Sequence, residues 1–287
     1  MTTFTLHCAV SAPGAKNNED AYGLWPTAQA PRAAWVLDGV TGINDRALLP
    51  GPSDAAWFVA QVQEILPTLL ADQPIHNLLT ELIAALAARH EKSWLNGTGP
   101  DGHETPAASF ALLRQLGDRV EIARLGDCLV LLEHDDGRVQ LLDDAVLNDI
   151  EAGLQAKVLA MRDLGITDAA VILHEMKPSL RAVRQRRNKP GGYGVLAADP
   201  ACLDLLQLDS FAAEDLRSIL MVSDGYYRLV DLYDAMSDAD LLHRTATSGA
   251  ETMLADLRAI EAADPQGERH PRLKMADDAT ALLLRRS

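Results

Sequence analysis

Arg217-Ser218-Ile219-Leu220-Met221-Val222-Ser223-Asp224-Gly225 is the stretch that decides how this chain is read. Ser218 to Ser223 is short and nearly all apolar, which predicts a buried strand, and it stops at Asp224-Gly225. Ala33 to Leu37 has the same design and stops at Asp38-Gly39. A strand end is a rigid platform for a carboxylate. Glycine beside it lets the backbone turn sharply or approach a ligand closely.

Around these two runs, Phe4 to Val10 reads as a further strand. Ser53 to Ala71 has helical spacing (Val59, Val62, Ile65, Leu66, Leu69), with Ser53 as N-cap. Pro74 to Leu95 repeats that pattern through Leu78, Leu79, Leu82, Ile83 and Leu86. Asn96 to Pro106, rich in Gly and Pro, predicts a loop. Ala108–Gln115, Arg119–Arg124, Leu129–Glu133 and Arg138–Leu142 are expected to be consecutive antiparallel strands, turning at Gly117-Asp118 and Asp135-Asp136-Gly137. Asp143 to about Arg187 is helical in character until Pro190-Gly191-Gly192 breaks it. Asp238 to Ala263 reads as helix and Ala279 to Arg285 as a last strand. Strands in groups with helices inserted in pairs predict an α+β fold. No linker divides residues 1–287, so one domain is expected.

Acids outnumber bases by 41 to 26, for a formal net charge of −15, which argues against nucleic-acid and anionic-membrane partners. Cys8, Cys128 and Cys202 are too far apart for a zinc motif, and an odd, unpaired set fits a reducing, cytoplasmic compartment. Met1 to Val10 lacks the pattern of a signal peptide. No run reaches the ~18 apolar residues of a membrane span.

Five acidic motifs stand at element boundaries: Asn18-Glu19-Asp20, Asp38-Gly39, Gly126-Asp127, Ser223-Asp224-Gly225 and Asp277-Asp278-Ala279-Thr280. Singly each reads as a turn or cap. Gathered in one place, carboxylates repel and raise each other's pKa, a cost that a divalent cation removes. An all-oxygen set without His or Cys points to Mg²⁺ or Mn²⁺.

The ordered set Asn-Glu-Asp, Val-Leu-Asp-Gly, Pro106-Ala107-Ala108-Ser109, Leu-Gly-Asp, Val-Ser-Asp-Gly and Asp-Asp-Ala-Thr resembles the type 2C metal-dependent protein serine/threonine phosphatases. Asn188-Lys189-Pro190-Gly191-Gly192-Tyr193 is similar to a segment of many bacterial members. The resemblance implies two stacked antiparallel β-sheets flanked by helix pairs, with a binuclear Mn²⁺ or Mg²⁺ centre at one end. It implies that Asp38 bridges the metals, that the Gly39 carbonyl binds one, and that Glu19, Asp224 and Asp277 complete the set directly or through water. Asp20 and Asp278 would support these ligands, and Asp127 with Asp224 would hold a third, weaker ion. Residues 143–198 would form a variable flap. The implied reaction is in-line attack of metal-activated water on a phosphoserine or phosphothreonine of a phosphoprotein.

Two family features are missing. The phosphate-binding Arg four residues before Glu19 is replaced by Ala15, with Lys16 beside it as the candidate phosphate contact. The His that some members carry two residues after the bridging Asp is Val40. The basic residues Arg184, Arg186 and Arg187 are read as a solvated helix face, with supply of charge to the substrate phosphate as the alternative, His7 and His103 as structural, and no histidine as catalytic. These departures keep open a non-catalytic pseudophosphatase that binds a partner. A metal phosphoesterase acting on small phosphorylated molecules is the other alternative.

Overall fold

The strands form two antiparallel sheets in the computed structural model, which describes residues 2–40, 42, 47–95 and 105–287. In chain order the strands are β1 (Phe4–Ala12), β2 (Asp20–Trp25), β3 (Ala33–Gly39), β4 (Ala107–Leu116), β5 (Arg119–Leu125), β6 (Leu129–His134), β7 (Val139–Leu142), β8 (Leu196–Ala197), β9 (Gln207–Ala212), β10 (Leu216–Val222) and β11 (Ala279–Arg286). The first sheet has the order β1-β11-β10-β6-β7 and the second β2-β3-β4-β5-β9, with β8 added to β4.

The inner faces meet in one core, where Val36, Ala111 and Ile122 of the second sheet pack with Val130, Ile219, Met221 and Leu282 of the first. The outer face of the second sheet (Trp35, Leu37, Phe110, Leu112) is covered by α1 (Asp54–Leu69) and α2 (Ile75–Ser93). The outer face of the first (Leu131, Leu220, Leu283) is covered by α5 (Asp224–Tyr227), α6 (Asp238–Ser248) and α7 (Ala250–Ala263). Both faces of the central strands are therefore dry. That is why β3 and β10 are continuously apolar although their sheets are antiparallel, where alternation is the usual pattern.

The α+β expectation and the two stacked sheets hold. Ser53 caps α1 by accepting from the Ala56 amide at 3.1 Å. The long helical stretches each break once, into α3 (Ala145–Asp163) and α4 (Ala169–Arg184), and into α6 and α7 at Gly249. The four-strand cluster differs from its expectation. β4 pairs with β5 and β6 with β7, but β5 and β6 lie in different sheets. Gly126-Asp127 carries the chain from one layer to the other, with Gly126 at φ +93. The solvated-face reading of the basic cluster holds only for Arg186. Arg187 is buried and donates to the Thr105 carbonyl at 3.0 Å, and Arg184 is half-buried. The Asn96–Pro106 loop and His103 lie, but for Thr105 and Pro106, outside the described residues.

Candidate metal centre

Antiparallel register delivers the first acids. Asp20 of β2 stands opposite Asp38 of β3, and the Gly39 amide donates to the Glu19 carbonyl at 3.0 Å. Asp127, at the crossing between sheets, donates its amide to Ser109 Oγ of β4 at 3.2 Å. The ends of β10 and β11 are tied by Ser223 N to Thr280 O at 3.0 Å and Thr280 N to Ser223 Oγ at 2.9 Å, which puts Asp224 beside Asp277 and Asp278. The Asp278 carboxylate accepts from the amides of Gly14 (2.8 Å) and Glu19 (2.6 Å), so it clamps the loop that carries Glu19.

Gly225 makes the closest of these approaches possible. A Cβ there would lie 1.9 Å from the Asp278 carbonyl oxygen and 3.2 Å from Asp277 Cβ. Gly225→Ala is expected to push the two strand ends apart and weaken Mn²⁺ binding by about 10–100-fold, the usual loss when ligand-positioning contacts are disturbed. Titration calorimetry measures it, with circular dichroism reporting on the fold.

The carboxylates crowd one another. Burial, then the charges of Asp20, Asp224 and Asp127, push the Asp38 carboxyl well above the ordinary range. Asp38 and Asp224 act on each other as a pair, their contact raising Asp38 and lowering Asp224. Burial works against the charged form of Asp224 too, but Arg228, the Asp38 hydrogen bond and Lys274 keep it below its usual value. Asp127 is pushed up to about 6 by burial and by Asp224. Asp20 is raised by burial, and Ser223, the nearest group favouring its charged form, makes no bond of normal geometry to it. Both of its oxygens are buried without a hydrogen-bond partner.

Four further residues at this end were not singled out in the sequence. Arg228, one helical turn after Asp224, donates to Asp277 Oδ2 at 2.7 Å, and Lys274 donates to Asp277 Oδ1 at 2.7 Å. Glu151 of α3 and Asp231 border the same mouth. Protein crowding and then neighbouring carboxylates, Asp224 among them, raise both. Asp231 and Glu151 lie far in sequence from any strand end, so nothing local marked them.

Lys16 stands exposed on the loop before β2. On the side of Glu19, a cleft of about 500 Å³ is lined by Arg184, Arg187, Asn188 and Lys189. Arg184 is near enough to Glu19 for that carboxylate to favour its charge, although burial and Arg187 draw its pKa down to about 10. The ring of His7 bonds the Ala246 carbonyl at 2.8 Å, which is a structural contact. Burial raises all three cysteine thiols, so none is poised as a nucleophile.

The donor set suits a hard divalent cation. It is all oxygen, it carries two buried unpartnered carboxylate oxygens on Asp20, and its crowding penalises the charged form of Asp38. Among the described residues, however, no three His, Cys, Asp or Glu side chains are already arranged to hold an ion. Asp277, turned to Arg228 and Lys274, is one reason.

The molecule is thus a two-layer sandwich with an acidic cluster where its layers meet at one end. Residues 14–260 match the family model described as protein phosphatase 2C, and the chain belongs to that family. Among solved structures it is similar to the Mycobacterium tuberculosis serine/threonine phosphatase PstP/Ppp (17% identity, TM-score 0.53, 99% of each chain covered). It is also similar to the PstP catalytic domain in complex with 2 manganese ions (19%, 0.52, 100% of this chain and 99% of that one). PppA, a regulatory component of T6SS in Pseudomonas aeruginosa, matches over 100% of both chains at 13% identity and a TM-score of 0.58. None of the curated proteins matches the chain by sequence.

Proposed function

We propose that this chain hydrolyses phosphoserine and phosphothreonine on proteins in a reaction that depends on Mn²⁺ or Mg²⁺. The observation that carries the reading is the meeting of Asp20, Asp38, Asp127 and Asp224 at one mouth, where β2, β3, β4 and the tied ends of β10 and β11 deliver them. Asp38, Asp224, Glu19 and the Gly39 carbonyl would hold the ions, with Asp277 as a further ligand and Asp127 at a third position. When bound, such ions supply an ionised water at neutral pH and polarise the phosphoryl group. Asp278 positions the Glu19 loop, and Asp20, opposite Asp38, sets the local field. Arg184, Arg187 and Lys189, and in a lesser role Lys16, supply positive charge for the substrate phosphate in place of the Arg missing at Ala15. Residues 143–198 act as a flap. Within it α3 and α4 have their own small core of Val158, Ile172 and Met176, and Glu151 faces the mouth.

The net charge of −15 supports protein over nucleic-acid substrates, and no helix among the described residues is long and apolar enough to cross a membrane. Phosphate release from a phosphothreonine peptide should appear with Mn²⁺ and vanish with a chelator. A preference for nucleotides over the peptide would favour a small-molecule phosphoesterase. The two cations on Asp277 favour a second reading, a non-catalytic binding module. Calorimetric Mn²⁺ binding without turnover would select it.

A further inference from the structure

Both oxygens of the Asp277 carboxylate are already taken. Oδ2 accepts from Arg228 Nη2 at 2.7 Å, and Oδ1 accepts from Lys274 Nζ at 2.7 Å and from the Asp278 amide at 3.0 Å. The side chains of Arg228 and Asp277 are 13% and 11% exposed, so that contact is shielded from solvent, while Lys274 keeps 44% of its side chain accessible. The backbone that carries Lys274 is anchored independently of Asp277, and Arg228 is tied to it. Arg228 Nη1 donates to the Lys274 carbonyl at 3.4 Å. Lys274 follows a loop fastened by the buried Arg272–Asp264 pair at 2.8 Å. Both cations also bear on Asp224, and Lys274 on Asp38.

A divalent cation and these side chains compete for the same lone pairs. We propose that Arg228 and Lys274 are built-in competitors for the metal position at Asp277, so that an ion reaches this carboxylate only by displacing them. The arrangement neutralises part of the acidic cluster when no metal is bound. It also makes the cation that uses Asp277 weaker and more readily exchanged than the one held by Asp38 and Asp224. The inference rests on the metal-centre reading above and adds what sets the affinity of one position in it.

The test uses the full chain, Mn²⁺ alone and titration calorimetry. Lys274→Met keeps most of the aliphatic stem and removes the ammonium. The half-exposed ammonium is partly screened by water, so its removal should tighten the weaker Mn²⁺ step by a few-fold, up to about fivefold. The same variant should melt at a lower temperature than the parent when metal-free, because Asp277 loses a partner. Arg228→Gln should shift affinity in the same direction, and Lys274→Arg, which keeps the charge and the contact, should stay within about twofold of the parent. A purely through-space effect is screened by salt. The gain must therefore persist at high ionic strength, and its disappearance there would overturn the competition. Equal or weaker Mn²⁺ binding by Lys274→Met, with the parent binding normally, would overturn it as well and leave the metal centre standing. Failure of the parent and every variant to bind Mn²⁺ would overturn both readings.

Discussion

Asp38→Asn is expected to abolish Mn²⁺-dependent phosphate release and, in the same protein, to raise the melting temperature of the metal-free chain. Loss of a ligand to the reacting centre removes several kcal/mol of transition-state stabilisation, which is about 10²–10³ in rate. The stability gain has a separate origin. Burial and the carboxylates of Asp20, Asp224 and Asp127 raise the folded pKa of Asp38 above its unfolded value. The folded chain then binds more protons than the unfolded one, and stability falls as pH rises above about 4. Asp20 acts in the same direction, as does Asp127, whose share of the loss is complete once pH passes about 6. Asp224, held low, acts the opposite way, but Asp277, Asp231 and Glu151 at the same mouth are raised as well, so the raised carboxyls prevail there. The neutral amide removes the Asp38 contribution. For a chain of this length each kcal/mol gained corresponds to roughly 2–4 °C. Scanning calorimetry of parent and variant at pH 5 and pH 7, both in chelator, should show the difference widening at the higher pH. Retained turnover, or a variant that melts lower than the parent at pH 7, would count against the acidic-cluster account.

Arg272→Ala is the substitution expected to cost most in stability, about 3–5 kcal/mol, because it strands a buried carboxylate. Arg272 is 3% exposed. Its guanidinium donates to Asp264 Oδ2 (2.8 Å), the Asp264 carbonyl (2.6 Å), the His270 carbonyl (2.8 Å) and the Met275 carbonyl (3.0 Å), and it lies over the Tyr233 ring at 5.6 Å. Burial would raise the Asp264 pKa, but Arg272 and the amides of His270, Arg269 and Glu268 hold it far below the usual range. Lysine cannot reproduce four donor contacts in a plane, so Arg272→Lys should rescue little. Denaturant unfolding measures the loss, and a cost below about 1 kcal/mol would show that the loop is held by something else. Because Lys274 lies two residues on, the variant should also loosen the hold of the Lys274 ammonium on Asp277.

What was legible in the sequence depended on how local the cause was. The ends of β3 and β10 announced themselves, since dry strands on both faces leave uninterrupted apolar runs before Asp38 and Asp224. β2 and β9 were missed because Asp20–Trp25 and Gln207–Ala212 lie at sheet edges and are only half-buried, so their composition is mixed. The passage of the chain between layers at Gly126-Asp127 has the same local signature as a hairpin turn. Only the pairing partners of β5 and β6 distinguish the two. The acidic motifs could be listed in order, but Arg228 and Lys274 could not be tied to Asp277 by spacing. Their roles arise from the joining of β10 to β11.

The pairing of β1 with β11 has a consequence for biosynthesis. Leu6 sits opposite Leu284, so β1 waits for a partner separated from it by about the full span of the described residues. Such long-range closure is slow and is made late. Until β11 emerges, β1 and β10 present bare edges, and Asp277 and Asp278 have not yet been delivered to Asp224 and the Glu19 loop. A nascent chain should therefore depend on holding factors for most of its synthesis. The acidic end of the sandwich should be completed only once β11 has paired.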